Sequence, residues 1–160
     1  MRKTTTTINL SFLTLMLCCF SSLAEQPMEL FWEDMVPQNY VAPDTELSHD
    51  GSMMQLGVDA PIVQSLNGKL VKVPGFVVPL EGSNDGTTEF LLVPYFGACI
   101  HVPPPPANQI VYVKFAKGVA INNIQDAVWV TGTLTTNGWQ GEVATVGYSL
   151  AGVEITPYDG

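Results

Sequence analysis

The chain has 160 residues, enough for one domain with a hydrophobic core and too few for two sizeable ones. Fifteen acidic residues outweigh six basic ones and give a formal net charge of −9, with Arg2 as the only arginine. Binding to nucleic acid or to an anionic membrane surface depends on clustered Lys and Arg. This composition therefore argues against both kinds of partner.

The N-terminus has the pattern of a secretory signal peptide. Arg2 and Lys3 precede an apolar run from Ile8 to Phe20, and small residues precede an expected cleavage site after Ala24. The apolar run is short for a membrane span, which needs about 20 residues. We therefore expect residues 1–24 to be removed, the mature protein to be periplasmic, and the mature chain not to insert stably into a membrane.

The cysteines support the same interpretation. Cys18 and Cys19 offer a lipid anchor as the alternative, but the residue before a lipidated cysteine is normally small, and here it is Leu17 or Cys18. Cleavage after Ala24 leaves Cys99 as the only cysteine. No disulfide can then form within the mature chain, so the fold depends on its core.

Residues 25–66 are predicted to be an irregular N-terminal cover, because prolines and glycines interrupt their short apolar bursts. Leu30 to Val36 has the apolar spacing of a helix of one or two turns that ends before the next proline. Ala60 to Leu66 is predicted to form a second short helix, stopped by the Asn-Gly pair that follows it. Their expected role is to cover one end of a sheet.

Residues 67–160 have the pattern of strands separated by turns. Gly75, Gly132 and Gly152 lie inside or beside these strands, where glycine often marks a bulge or a barrel corner. We predict an all-β fold, a small five-stranded barrel of the oligonucleotide/oligosaccharide-binding (OB) type with a short helical or irregular N-terminal cover. Spacing alone leaves a β-sandwich open. The predicted strands are Lys69–Leu80, Thr88–Tyr95, Gln109–Phe115, Ala127–Thr135 and Ala144–Ile155, and the second is apolar enough to be buried on both faces.

Cys99 and His101 carry the most distinctive chemistry in the sequence. They lie two positions apart after a predicted buried strand, so in an extended segment their side chains would point to the same side. Thiolate and imidazole are preferred zinc ligands. One hypothesis is therefore a zinc site formed by Cys99 and His101, with His49 of the acidic stretch PDTELSHD as a further ligand.

Two other interpretations of Cys99 stay open. Free cysteine often packs as a small buried hydrophobe, and His101 would then bond to a loop carbonyl. Alternatively, His101 activates Cys99 as the nucleophile of a thiol-dependent enzyme. That chemistry also requires an oxyanion hole, for which the sequence gives no specific support, so we expect a protein that is not an enzyme.

Pro103, Pro104, Pro105 and Pro106 form a stiff segment, because each proline fixes φ and lacks an N–H. Such a segment makes a rigid rim for partner binding, which Tyr95, Phe96 and Asn108 would extend. The alternative is that the prolines only cap a sheet edge and hold the turn between two strands.

Four stretches of the chain resemble a family of exported bacterial proteins described only as a domain of unknown function. They are FWEDMVP, LNGKLVKVPGFVVPLE, TEFLLVPYFGACIHVPPPPANQIVYVK and VWVTGTL. The resemblance covers about Glu29 to Tyr158, and GACIHVPPPPANQIV is its most specific motif. It implies a small periplasmic or lipid-anchored protein with no assigned reaction, and a link of some members to transport systems regulated by zinc.

These observations predict a non-catalytic periplasmic accessory protein that binds or relays a divalent metal, zinc, for an envelope transport system. The rival hypothesis is a protein-interaction adaptor that uses the proline segment without a metal. The expected partner is an envelope transport protein or another periplasmic protein.

Overall fold

The computed structural model describes residues 25–42, 54–83 and 86–159. The predicted signal peptide, Cys18, Cys19 and His49 lie outside the described residues. In the described ranges no helix has the length and apolar character needed to cross a membrane. The strands are β1 Met28–Glu29, β2 Leu70–Ser83, β3 Gly86–Val93, β4 Val111–Val119, β5 Val128–Thr135, β6 Trp139–Gln140, β7 Thr145–Val146 and β8 Tyr148–Pro157. The 3₁₀ helices are Trp32–Met35, Gln64–Leu66 and Ala107–Gln109.

Five strands close a barrel in the order β2, β3, β4, β8, β5 and back to β2. Strands β4 and β8 are parallel, and the other neighbouring pairs in the barrel are antiparallel. A parallel pair formed by the third and fifth barrel strands is the arrangement of an OB barrel. The predicted all-β five-stranded barrel is therefore confirmed, and the sandwich alternative is wrong.

Glycines lie where the barrel bends. Strand β2 pairs with β5 up to Gly75 and with β3 from Phe76 onward. A Cβ atom on Gly75 would lie 2.7 Å from the carbonyl oxygen of Val93, so a side chain there would force the strands apart. Gly132 and Gly152 pair with each other beside a register shift in the β5–β8 ladder. The bends predicted from these glycines are confirmed.

Strand β3 is buried on both faces, as its nearly continuous apolar sequence predicts. Phe90 and Leu92 belong to the barrel core, and Leu91 and Val93 belong to a second apolar cluster outside the barrel. All four side chains are fully buried. The second cluster also contains Val78, Ala98, Ile110, Ala144 and Val146. The β3–β4 loop and the β6–β7 hairpin thus pack on the outer face of the barrel.

The N-terminal cover is attached to the barrel by its core and by side-chain hydrogen bonds. Met35 is fully buried in the barrel core. The Tyr148 hydroxyl donates to the carbonyl oxygen of Met35 at 2.7 Å and accepts from the amide of Val63 at 2.7 Å. Trp32 Nε1 donates to the carbonyl oxygen of Pro74 at 2.8 Å. The predicted cover is confirmed as a part of the fold.

The predicted helix Ala60–Leu66 is reduced to the 3₁₀ helix Gln64–Leu66. Its first half contains Pro61, which has no N–H to donate. The amide of Val63 is bonded to the Tyr148 hydroxyl instead of to a helical carbonyl. Tertiary contacts therefore replace the first helical turn.

Several predicted strand boundaries are also wrong. Strand β2 ends at Ser83 instead of Leu80, and β4 ends at Val119 instead of Phe115. Two further differences lie beside the β3–β4 loop. The last predicted strand, Ala144–Ile155, is divided into β7 and β8 at Gly147, whose amide donates to the carbonyl oxygen of Ala107 at 2.7 Å. The strand predicted to begin at Gln109 begins at Val111, because a 3₁₀ turn occupies the preceding residues. Both differences come from the β3–β4 loop, which packs beside the β7–β8 junction.

Candidate functional site

The β3–β4 loop holds Cys99 and His101 in a compact turn. The carbonyl oxygen of Gly97 accepts the amides of Ile100, His101 and Val102 at 3.2, 2.8 and 3.3 Å. Cys99 has a φ of +64°, a left-handed conformation that residues other than glycine seldom adopt. The segment is therefore not extended, and the expectation of two side chains projecting from one side of a strand is wrong.

The Cys99 side chain packs against the second apolar cluster and is partly buried. This burial raises the pKa of the thiol to about 11. A nucleophilic cysteine needs a lowered pKa, because the thiolate is the reactive form. The surroundings of Cys99 favour packing over thiol-dependent catalysis.

The predicted zinc ligands are only partly described. His101 is exposed, and His49 lies outside the described ranges. Within residues 25–42, 54–83 and 86–159, no three His, Cys, Asp or Glu side chains come together as a metal-binding group. The zinc site of Cys99, His101 and His49 therefore stays a prediction.

The proline segment is more buried than a projecting rim would be. Pro104 and Pro105 are buried, while Pro103 and Pro106 are half-buried. The carbonyl oxygen of Pro105 accepts a hydrogen bond from Gln55 Nε2 at 2.8 Å. The prolines pack into the body of the protein, and Pro105 and Pro106 contribute to the wall of a groove.

This groove, of about 620 Å³, lies between the N-terminal cover and the β3–β4 loop. Its volume is within the range of about 300–1,000 Å³ that is usual for ligand sites. We name it the cover–loop groove. It is lined by Trp32, Pro37 and Tyr40 from the cover and by Tyr95, Pro105, Pro106 and Asn108 from the loop.

Side-chain hydrogen bonds fix the two walls of the cover–loop groove relative to each other. Gln109 Nε2 donates to the carbonyl oxygen of Trp32 at 2.9 Å, which joins the loop directly to the cover. Asn108 Nδ2 donates to the carbonyl oxygen of Pro61 at 2.9 Å. Because proline φ angles are also fixed, the groove is formed before any ligand binds.

Asn108 is a buried polar residue at this groove. Its side chain is 0% exposed, so the predicted position on an exposed surface is wrong. Its Oδ1 atom is buried and has no hydrogen-bond partner among the described residues. A buried acceptor without a partner costs about 1–3 kcal/mol. With less than 1 Å² of accessible surface, this oxygen is not open to the groove.

The face that OB barrels commonly use for ligands lies on their second and third strands. In this protein those strands are β3 and β4. Other parts of the chain cover the half of their outer face that holds Leu91, Val93 and Tyr112, while Lys114 and Ala116 on the same face are exposed. Trp139 stacks on Tyr112 with ring centroids 4.7 Å apart and planes 4° apart. Burial, together with the hydrogen bond to Glu89, raises the pKa of the Tyr112 hydroxyl to about 12. The cover–loop groove is therefore the better candidate site.

Trp32 and Tyr40 are groove residues that the sequence alone does not indicate. Aromatic residues and proline are frequent in three stretches of the sequence, FWEDMVPQNY, VPYF and the four prolines. This shared composition is the signal that could have assigned the three stretches to one site. Their meeting depends on the fold, since the hydrogen bond from Gln109 to Trp32 joins residues 77 positions apart.

Together these features define a class of protein, a small OB-like barrel with a preformed groove between its N-terminal cover and one loop. Residues 32–157 match the family "Protein of unknown function (DUF3299)", and the chain belongs to this family. It is similar to a DUF3299 family protein from Pseudomonas aeruginosa PAO1 in a crystal structure, with 43% identity and a TM-score of 0.76. The match covers 84% of this chain and 98% of that one. No curated protein matches the chain significantly.

Proposed function

We propose that this protein is a non-catalytic accessory protein of the bacterial cell envelope that binds an extended segment of a partner protein in the cover–loop groove. The observation that carries the proposal is the lining of the groove by Trp32, Tyr40 and Tyr95 beside proline walls. Grooves lined by aromatic side chains recognise extended, proline-containing segments, which lose little conformational entropy on binding.

The chemistry of the groove supports binding more than catalysis. Nucleophilic catalysis needs a nucleophile and a base within hydrogen-bond reach of each other. Glu33 is the only carboxylate among the described groove residues, and none of them is a histidine or cysteine. The aromatic and proline surfaces offer shape and apolar contact, which are the properties of a recognition site.

The expected place of action is the periplasm, and the expected partner is an envelope transport protein or another periplasmic protein. Arg2, Lys3 and the apolar run that follows support export. The net charge of −9 favours a partner surface with positive charge.

A metal-dependent form of this function would use zinc bound by Cys99, His101 and His49. None of these three residues is among those lining the described groove. The two forms therefore differ in a measurable way, because only the metal-dependent form requires zinc for partner binding.

The test uses the mature protein, Glu25 to Gly160, and a random 12-residue peptide library displayed on phage. Affinities of the enriched peptides are measured by fluorescence anisotropy for the wild type and for Tyr95→Ala. The control is Tyr158→Ala, because Tyr158 is also a partly exposed aromatic residue, at 37%, but lies outside the groove.

We expect Tyr95→Ala to weaken binding by about tenfold or more, as truncation of an aromatic anchor commonly does, and Tyr158→Ala to leave it unchanged. EDTA and Cys99→Ser should have no effect on affinity. Enrichment of no peptide, or equal losses in the two tyrosine variants, would contradict groove binding. Loss of binding in EDTA would support the metal-dependent form instead.

A further inference from the structure

The cover–loop groove has a neighbour on the other side of the N-terminal cover. A second depression of about 410 Å³ lies against Ile62 and Val63. Glu33, Val36, Pro37 and Gln38 line both spaces and form a ridge between them. A compact ligand fills one space, whereas an elongated ligand crosses the ridge and contacts both.

The ridge is acidic. Glu33 borders both depressions, Asp34 borders the second, and no lysine or arginine among the described residues lines either one. Asp34 Oδ2 already accepts the amide of Phe31 at 3.3 Å. Glu33 is exposed and has no ion-pair partner in the described part of the chain. A ligand that crosses the ridge therefore meets an unneutralised carboxylate.

We infer that the ligand of the groove is a proline-containing extended segment that carries a lysine or arginine beside Glu33. This inference rests on the proposed function, because it specifies the ligand of the same groove. The apolar and proline residues of the segment lie between the walls, and its basic residue lies at the ridge.

The test begins with a peptide enriched from the random 12-residue library and compares it with a version in which each Lys or Arg is replaced by Glu. Both peptides are titrated against the wild type, Glu33→Lys and Glu154→Lys. Glu154 is an exposed carboxylate on β8 that borders neither depression, so it controls for the change in net charge.

We expect the wild type to bind the basic peptide about tenfold more tightly than the acidic version, and Glu33→Lys to reverse this preference. Glu154→Lys should keep the wild-type preference. If peptide binding depends on Tyr95 but the basic and acidic peptides bind with equal affinity, the inference of a basic residue is overturned and the proposed function stands. If peptide binding does not depend on Tyr95, both the inference and the proposed function are overturned.

Light scattering completes the test, since self-association of the wild type that is lost in Tyr95→Ala would identify a second copy of the chain as the ligand and overturn the inference.

Discussion

The hydroxyl of Tyr148, at the start of β8, donates a 2.7 Å hydrogen bond to the carbonyl oxygen of Met35 in the N-terminal cover. The same hydroxyl accepts the amide of Val63 at 2.7 Å. One side chain of the barrel therefore holds two separate segments of the cover. Since the cover supplies one wall of the cover–loop groove, this contact connects fold stability with the shape of the candidate site.

We expect Tyr148→Phe to lower the free energy of unfolding by about 1–3 kcal/mol, because it leaves the buried carbonyl of Met35 and the amide of Val63 without this partner. Urea denaturation measures the change. Tyr158→Phe is the control, and its partly exposed ring predicts a change within about 0.5 kcal/mol. Equal stability of the two variants would show that the Tyr148 hydroxyl does not hold the cover.

A second prediction concerns the packing of Gly57 beside the groove. Gly57 has a φ of +68°, and a Cβ atom there would lie 2.9 Å from Tyr40 Oη and 3.0 Å from Pro106 Cβ. Gly68 has a φ of +77° with no atom within 4 Å of such a Cβ, so it is a matched control. Both alanine variants bear the cost of a left-handed conformation, about 1–2 kcal/mol, but only Gly57→Ala also disturbs the groove.

Thermal unfolding and peptide affinity check this prediction. Gly57→Ala should be less stable than Gly68→Ala and should bind the enriched peptide more weakly. If Gly68→Ala weakened peptide binding as much as Gly57→Ala, the packing of Gly57 against Tyr40 and Pro106 would not be what shapes the groove.

A third prediction follows from the burial of Cys99, which raises the pKa of its thiol to about 11. At neutral pH the thiol is protonated, so reaction with a disulfide reagent should be slow in the folded protein. The rate should rise with pH toward that value, whereas in concentrated urea it should follow an ordinary cysteine pKa of about 8.5. A fast reaction of the folded protein at pH 7 would instead support an activated thiol.

A fourth prediction concerns the pH dependence of stability at Glu89. The hydrogen bonds from Lys114 and Tyr112 lower the pKa of the Glu89 carboxyl below the ordinary glutamate value of 4.5. The charged form is thus favoured in the folded state, so this stabilisation is present above pH 4.5 and is lost as pH falls through the lowered folded pKa.

Urea denaturation between pH 7 and pH 2.5 measures this contribution. The stability of the wild type relative to Glu89→Gln should decrease below about pH 4.5, because protonation then removes the charge that the variant also lacks. In a Lys114→Gln background the pH-dependent difference should be smaller, since the largest cause of the shift is absent. An unchanged difference across this pH range would contradict the assignment.

The parts of the fold that depend on local pattern could be predicted from the sequence. The continuous apolar run of β3 indicated burial on both faces, and the glycines of β2, β5 and β8 indicated bends. The division of the last predicted strand at Gly147 could not be predicted, because it depends on a hydrogen bond to Ala107, 40 residues away in the chain.

The candidate site was harder to predict because it combines distant segments. The sequence identified the prolines and Asn108 as binding residues but not their burial, which results from packing against the cover and the hydrogen bond from Gln55 to Pro105. The left-handed conformation of Cys99 also depends on the three amides bonded to Gly97. Pairwise spacing in the sequence contains neither kind of information.

The most direct measurement is an NMR titration of ¹⁵N-labelled protein, Glu25 to Gly160, with the enriched peptide. We expect the indole N–H of Trp32, the side-chain amide of Gln109 and the backbone amide of Tyr95 to shift, and the indole N–H of Trp139 to stay unchanged. Saturable shifts centred on Trp139, with Trp32, Gln109 and Tyr95 unchanged, would contradict the claim that the cover–loop groove is the binding site.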